Sequence, residues 1–132
     1  MNDFLTAYYD DEAGQQRIGS QAELDELLDR VASLPRPTWV ELVSADELVT
    51  MNIGLGAAFS SLTLYDDVDG SAKYCSAGTL GEPQEATFDY GGVPTTMGKG
   101  SAITVKDARA AASEFLATGR RPDLVVWELA FD

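Results

Sequence analysis

The chain has 132 residues, 45% of them apolar, and carries 22 acidic against 9 basic side chains for a net charge of −13. One domain over 1–132 is expected from this length, and a domain of this size buries roughly two-thirds of the surface its unfolded chain exposes. The charge argues against nucleic acid as a ligand, which needs clustered Lys and Arg, and the absence of histidine excludes a Ser–His–Asp triad, a Cys–His pair and His-containing zinc sites. The first element is a short strand over FLTAYY, residues 4–9, predicted from its aromatic content. The N-terminal run MNDFLTAYYDDEAG has no basic flank followed by an apolar core, so no secretory leader is expected. DDEAGQQRIG then reads as a polar break.

The clearest helix is SQAELDELLDRVASL, residues 20–34. Ser20 can cap its first turn with Glu23 at the capping-box spacing. Leu24, Leu27, Leu28, Val31 and Leu34 recur at helical spacing and predict the buried stripe, with Glu23, Asp25, Glu26 and Asp29 largely outside it. Glu26 and Arg30 form a four-apart surface pair, and Pro35 and Pro37 end the element.

Residues 38–90 read as an antiparallel meander. TWVELV is its first strand. In DELVTMNIGLG, Val49, Met51, Ile53 and Leu55 alternate with Thr50, Asn52 and Gly54, the pattern of a half-buried strand. AAFSSLTLYDD follows, then a tight hairpin turn at Asp69–Gly70, then SAKYCSA and, after the GTLGEP loop, the strand EATFDYGG. Cys75 rules out an internal disulfide, fits a reducing compartment, and is read as a small buried apolar residue. VPTTMGKGSAI is read as a Gly- and Pro-marked connection. The second helix is TVKDARAAASEFLATG, capped by Thr104 with Asp107 three residues on. Val105, Ala108, Ala112, Phe115 and Leu116 form its buried stripe, Gly119 its left-handed C-cap, and Pro122 blocks continuation. LVVWELAF is the last strand, with Val125, Trp127 and Leu129 on one side. The order predicts an α+β fold, a mostly antiparallel β-sheet with two helices packed on one face. No apolar stretch reaches the roughly 18 residues of a membrane span, and the cytoplasm is the expected location.

Several stretches invite a chemistry. GVPTTMGKGS resembles a phosphate loop, but Gly92 and Gly98 are one residue too far apart, and Gly100 stands where Ser or Thr should follow Lys99. DDVDG resembles a calcium loop, but alignment puts Tyr65 at the first ligand position and Ser76 where the bidentate glutamate belongs. Carboxylates cluster at Asp10–Asp11–Glu12, at Asp66–Asp67–Asp69 and at Glu82–Glu85–Asp89. A glycosidase needs two such groups across a cleft, and spacing along the chain does not supply that. No enzyme activity, cofactor or metal is expected. The alternative is a protein surface whose acidic loops engage a basic partner, accelerated by the charge. Tyr65, Tyr74 and Tyr90 lie beside those loops, where tyrosine suits an interface; strand propensity accounts for the same residues equally well. The partner-binding set is therefore Tyr65, Asp66, Asp67, Asp69, Tyr74, Glu82, Glu85, Asp89 and Tyr90.

The stretch EFLATGRRPDLVVWEL, residues 114–129, carries a resemblance. A Val-begun helix holds Glu114–Phe115, then Thr118–Gly119 and Arg121–Pro122 follow, with Trp127 five residues after the proline. This is similar to the Imm1 family of immunity proteins of bacterial polymorphic toxin systems, in which the helix ends in an EF…TG…RP segment leading into a strand with a Trp. The matching positions are Val105, Ala108, Glu114, Phe115, Thr118, Gly119, Arg121, Pro122 and Trp127, with looser likeness around SLTLYDDVDGSAKYC and GTLGEP. It covers about two-thirds of the chain as a motif match, and residues 1–36 follow it only in layout. The resemblance implies an α+β antidote that binds and blocks a toxin domain, often a deaminase and sometimes another nucleic-acid-directed toxin such as a nuclease. An acidic interaction or regulatory module unrelated to toxins is the alternative. The corner itself is read as scaffold: Trp127 in the core, Arg120 and Arg121 at the negative end of the helix dipole, one of them available to a carboxylate such as Glu114 or Glu128.

Overall fold

The computed structural model describes residues 2–80, 86–97 and 100–130. Nine strands and two helices follow one another as β1 (Leu5–Tyr8), β2 (Gln16–Ile18), α1 (Gln21–Ala32), β3 (Thr38–Ser44), β4 (Val49–Leu55), β5 (Leu62–Asp66), β6 (Ala72–Ser76), β7 (Thr87–Tyr90), β8 (Val93–Thr96), α2 (Val105–Thr118) and β9 (Trp127–Leu129). The main sheet runs β2-β1-β3-β4-β5-β6-β9, antiparallel at every pairing. The expected α+β class is what the chain adopts. Among the described residues no helix is long and apolar enough to cross a membrane.

Both helices pack on one face of the sheet and are tied to each other. The α1 stripe buries Leu24, Leu27, Leu28 and Val31, with Leu34 packed at its margin. Ser20 Oγ accepts from Glu23 N–H, and the Glu23 carboxylate reaches back to accept from Gly19 N–H and from the Ser20 hydroxyl. In α2, Ala108, Ala111, Ala112, Phe115 and Leu116 are buried, while Val105 is only half-buried. These stripes meet Leu5, Ala7, Val40, Leu42, Val49, Met51, Ile53, Leu62 and Leu64 from the strands in one core. Arg109 of α2 pairs with Asp29 of α1 at 2.7 Å and with Asp25 at 3.9 Å, closing the seam between the helices.

A second, smaller core lies on the opposite face, and it changes the reading of β4. Trp39, Phe88, Met97 and Ala102 pack there, with Trp39 and Phe88 rings 4.9 Å apart. Asn52 and Gly54, expected on a solvated face, are therefore buried, and the strand is covered on both sides at that end. Gly54 is required: a Cβ there would lie 2.7–2.9 Å from the Phe88 ring.

The 38–90 meander holds for β3 to β6, but β7 leaves it. It joins β3 in parallel at Thr38↔Asp89, on the stretch of that edge beyond the reach of β1. The connection expected at 93–103 contains β8, which pairs with β7 through the turn Gly91–Gly92, both at positive φ (55° and 93°). Pro94 lacks an N–H and argues against a strand; β8 tolerates it because it has a partner on one side only. β2, three residues at the sheet edge, was hidden in the polar break. The Asp69–Gly70 turn is not tight: register pairs Asp66 with Ala72, leaving a loop over 67–71.

Candidate functional site

Alternation sends one set of side chains from β3–β6 and β9 to the helices and the other to the opposite face. Register places Glu41, Asn52, Thr63, Cys75 and Glu128 opposite one another in a single row across that second face. A neighbouring row holds Val43, Thr50, Tyr65 and Lys73. The β7–β8 hairpin rises beside these rows, held by the Trp39–Phe88 contact and by Trp39 Nε1 donating to Thr95 O at 3.4 Å. Sheet and hairpin enclose a cleft of about 760 Å³ lined by Trp39, Glu41, Asn52, Tyr65, Lys73, Cys75 and Tyr90 together with threonines 50, 63, 95 and 96.

Polar groups converge at one end of the cleft. Tyr90 Oη donates to Glu41 Oε2 at 2.6 Å. Burial and then this carboxylate push the Tyr90 phenol well above its ordinary pKa, so it remains a donor through the physiological range. Asn52, 7% exposed, donates from Nδ2 to Thr63 Oγ1 at 3.0 Å, while its buried Oδ1 has no partner among the described residues. On the other side, the Lys73 ammonium lies 5.4 Å from the centre of the Tyr65 ring. Cys75 is half-buried in the floor rather than in the core, and burial raises its thiol pKa. Among the described residues no three His, Cys, Asp or Glu side chains converge on a metal position.

The expected partner-binding residues divide. Tyr65 and Tyr90 share the cleft. Asp66, Asp67 and Asp69 form the β5–β6 tip next to Tyr65, where Asp66 Oδ1 accepts from Val68 N–H and Asp67 Oδ1 from Ser71 Oγ. Tyr74 lies on the helix side, where Arg121 stacks over its ring at 4.3 Å. Asp89 turns away from Tyr90 into a smaller hollow with Asp10, Arg36 and Thr38, its Oδ2 accepting from Gly92 N–H. Glu82 and Glu85 lie outside the described residues, as do Gly98 and Lys99 of the loop that resembled a phosphate loop. Sequence reasoning missed Trp39, Glu41, Asn52 and Thr63. The available signal was the polar half of the period-two pattern, which was read as solvent-facing.

The corner after α2 is built by short-range bonding. Gly119 takes the left-handed cap at φ 65° and its N–H donates to Phe115 O. Both Glu114 carboxylate oxygens accept from the chain beyond the proline, Asp123 N–H at 2.7 Å and Leu124 N–H at 3.2 Å. Trp127 Nε1 donates to Pro122 O at 2.7 Å. Arg120 pairs with Asp46 at 2.8 Å and also donates to Gly119 O, so the carboxylate it meets is neither Glu114 nor Glu128. Trp127 is half-buried against the core rather than inside it.

Residues 12–129 match the family described as Immunity protein Imm1. The chain belongs to that family, and the match takes in α1 as well as the C-terminal two-thirds. Family membership makes it an immunity protein, whose partner is a toxin. No curated protein matches the chain.

Proposed function

We propose that this Imm1-family protein neutralises a nucleic-acid-directed toxin domain, a deaminase, by stoichiometric binding across its active-site mouth in the cytoplasm, without catalysis. A deaminase acting on a base must also hold the phosphate backbone, so its mouth is cationic. A chain of charge −13 complements that surface and competes with the nucleic acid directly. The observation that carries this reading is the pairing state of the carboxylates. On α1, Glu26 pairs with Arg30, and Asp25 and Asp29 pair with Arg109. At the β5–β6 tip, Asp66, Asp67 and Asp69 have no ion pair among the described residues. Their charge is left for a partner; Tyr65, 43% exposed, adjoins them, and Tyr90, 38% exposed, shares its cleft. Tyr74 and Asp89 join the proposed contact set at a greater remove, and Glu82 and Glu85 are kept in it on the strength of the sequence.

Co-purification with the product of the neighbouring gene identifies the toxin. Isothermal titration then compares reversal of Asp66, Asp67 and Asp69 to lysine with reversal of Asp25, Glu26 and Asp29. Clusters are needed, since single exposed pairs contribute only about 0–1 kcal/mol. The helix variant also breaks the Arg109 seam, so both proteins are first shown to melt cooperatively. The tip variant is expected to lose more affinity. Equal losses would leave only bulk charge, and a larger loss from the helix variant would move the interface to the other face.

A further inference from the structure

We propose that the cleft on the helix-free face is a receptor for an arginine side chain of the partner, with Glu41 and Asn52 as its acceptors and Trp39, Tyr65 and Tyr90 as its walls. The inference rests on the immunity reading for the source of the arginine, and on the cleft alone for the chemistry.

Glu41 and Asn52 are directly opposed on β3 and β4, which sets their Cβ atoms about 4.5–5.5 Å apart. The Asn52 amide turns Nδ2 towards Thr63 on β5, leaving Oδ1 on the side away from that strand, unpartnered and buried. One Glu41 oxygen accepts from Tyr90, and Glu41 lines the cleft. Among the described residues no donor reaches the Asn52 oxygen, which leaves its hydrogen bonding incomplete. Buried polar atoms are almost always paired, so the missing element is a donor. A carboxylate beside an amide oxygen selects a cationic donor with more than one N–H. A guanidinium supplies several N–H groups in a rigid fork and stacks on aromatic faces, whereas an ammonium is a strongly hydrated point charge. Lys73, which also lines the cleft, belongs to β6, three strands from β3, and its ammonium lies 5.4 Å from the centre of the Tyr65 ring on β5. The partner that this protein's charge selects is basic, and the cleft offers one of its arginines a fixed seat.

The test is an NMR titration of the full chain with acetyl-Gly-Arg-Gly-amide and with the same tripeptide bearing citrulline, which keeps the shape and lacks the charge. Saturable shifts of the Asn52 side-chain amide and Trp39 indole signals are expected with the arginine peptide and not with the citrulline peptide. Glu41→Gln, of the same size, should weaken the arginine peptide at least tenfold, and Asn52→Ala should weaken it further. If Asn52→Ala fails to fold, Glu41→Gln carries the test by itself. Equal shifts from both peptides, or Glu41→Gln binding as wild type, would overturn the proposal. Titration of the toxin domain separates the two readings. A toxin that binds wild type and the Glu41→Gln variant equally overturns the cleft and leaves immunity standing. A deaminase that fails to bind wild type overturns the deaminase reading, while the peptide result still decides the cleft.

Discussion

Asp46 shows how a single surface carboxylate records the fold. Arg120, then Ser44 Oγ and Leu48 N–H, hold it to about 2 against an ordinary 3.8. In the unfolded chain it takes up a proton as pH falls through about 4, while in the folded chain it stays ionised until about 2. Its stabilising contribution is therefore complete above pH 4 and is lost as pH falls from 4 to 2. Asp46→Asn should flatten that part of the acid-denaturation profile and lower the melting temperature at pH 7 slightly, as thermal melts across pH 2–7 would show. Trp127→Ala should cost about 2 kcal/mol, short of the ~3–5 typical of a fully buried aromatic, because the indole is half-buried and anchored by one bond to Pro122 O. Denaturant melts give the loss, and toxin affinity of the refolded variant should stay within threefold of wild type. Gly119 and Pro122 were legible in the sequence because their roles are local. The Arg120 partner was not, since Asp46 is distant in sequence and proximity there is a product of the whole sheet. Asn2 adds to the same corner: its Nδ2 donates to Leu116 O and its Oδ1 accepts from Ala45 N–H, joining the end of α2 to the β3–β4 turn.

Among the elements, both helices and the β3–β6 strands were readable because their periodicity reports directly on burial. The exceptions share a cause. β2, β7 and β8 are short pieces whose pairing decides their existence, and pairing is set by neighbours far along the chain. The β7–β8 hairpin depends on a close approach, Phe88 over the Cα of Gly54. Gly54→Ala puts a methyl inside the ring's contact distance, so either β4 or the hairpin must move. The looser element yields: among the described residues β7 pairs with the main sheet at β3 alone, while β4 is paired on both sides. Limited proteolysis should then cut at residues 91–97 much faster than in wild type, with strands β3 to β6 still protected in hydrogen exchange. Unchanged cleavage would show that β4 absorbs the methyl instead.

For the molecule as a whole, net charge has a kinetic signature. Toxin association should slow at least tenfold as salt rises from about 0.05 to 0.5 M, because the Debye length contracts from roughly 14 to 4 Å. Dissociation should change far less. Stopped-flow rates that are flat across this range would remove steering from the mechanism. The acidic tip was legible because a solvent-exposed cluster advertises itself in the sequence. The cleft was not, because Glu41, Asn52 and Thr63 are scattered over three strands and acquire a common purpose only through register. Cys75 stands in that same row and is the chain's sole thiol. This gives the cleft its own chemical reporter. Thiol alkylation of the protein can occur at one place only, and the raised thiol pKa makes that reaction slow at neutral pH and faster as the solution turns alkaline. Whatever seats itself on the helix-free face should shield the sulfur, and whatever binds the helix face should leave it reactive. A mass shift of one adduct, followed in time with and without the toxin, would therefore distinguish the two sides of the sheet without any substitution in the protein.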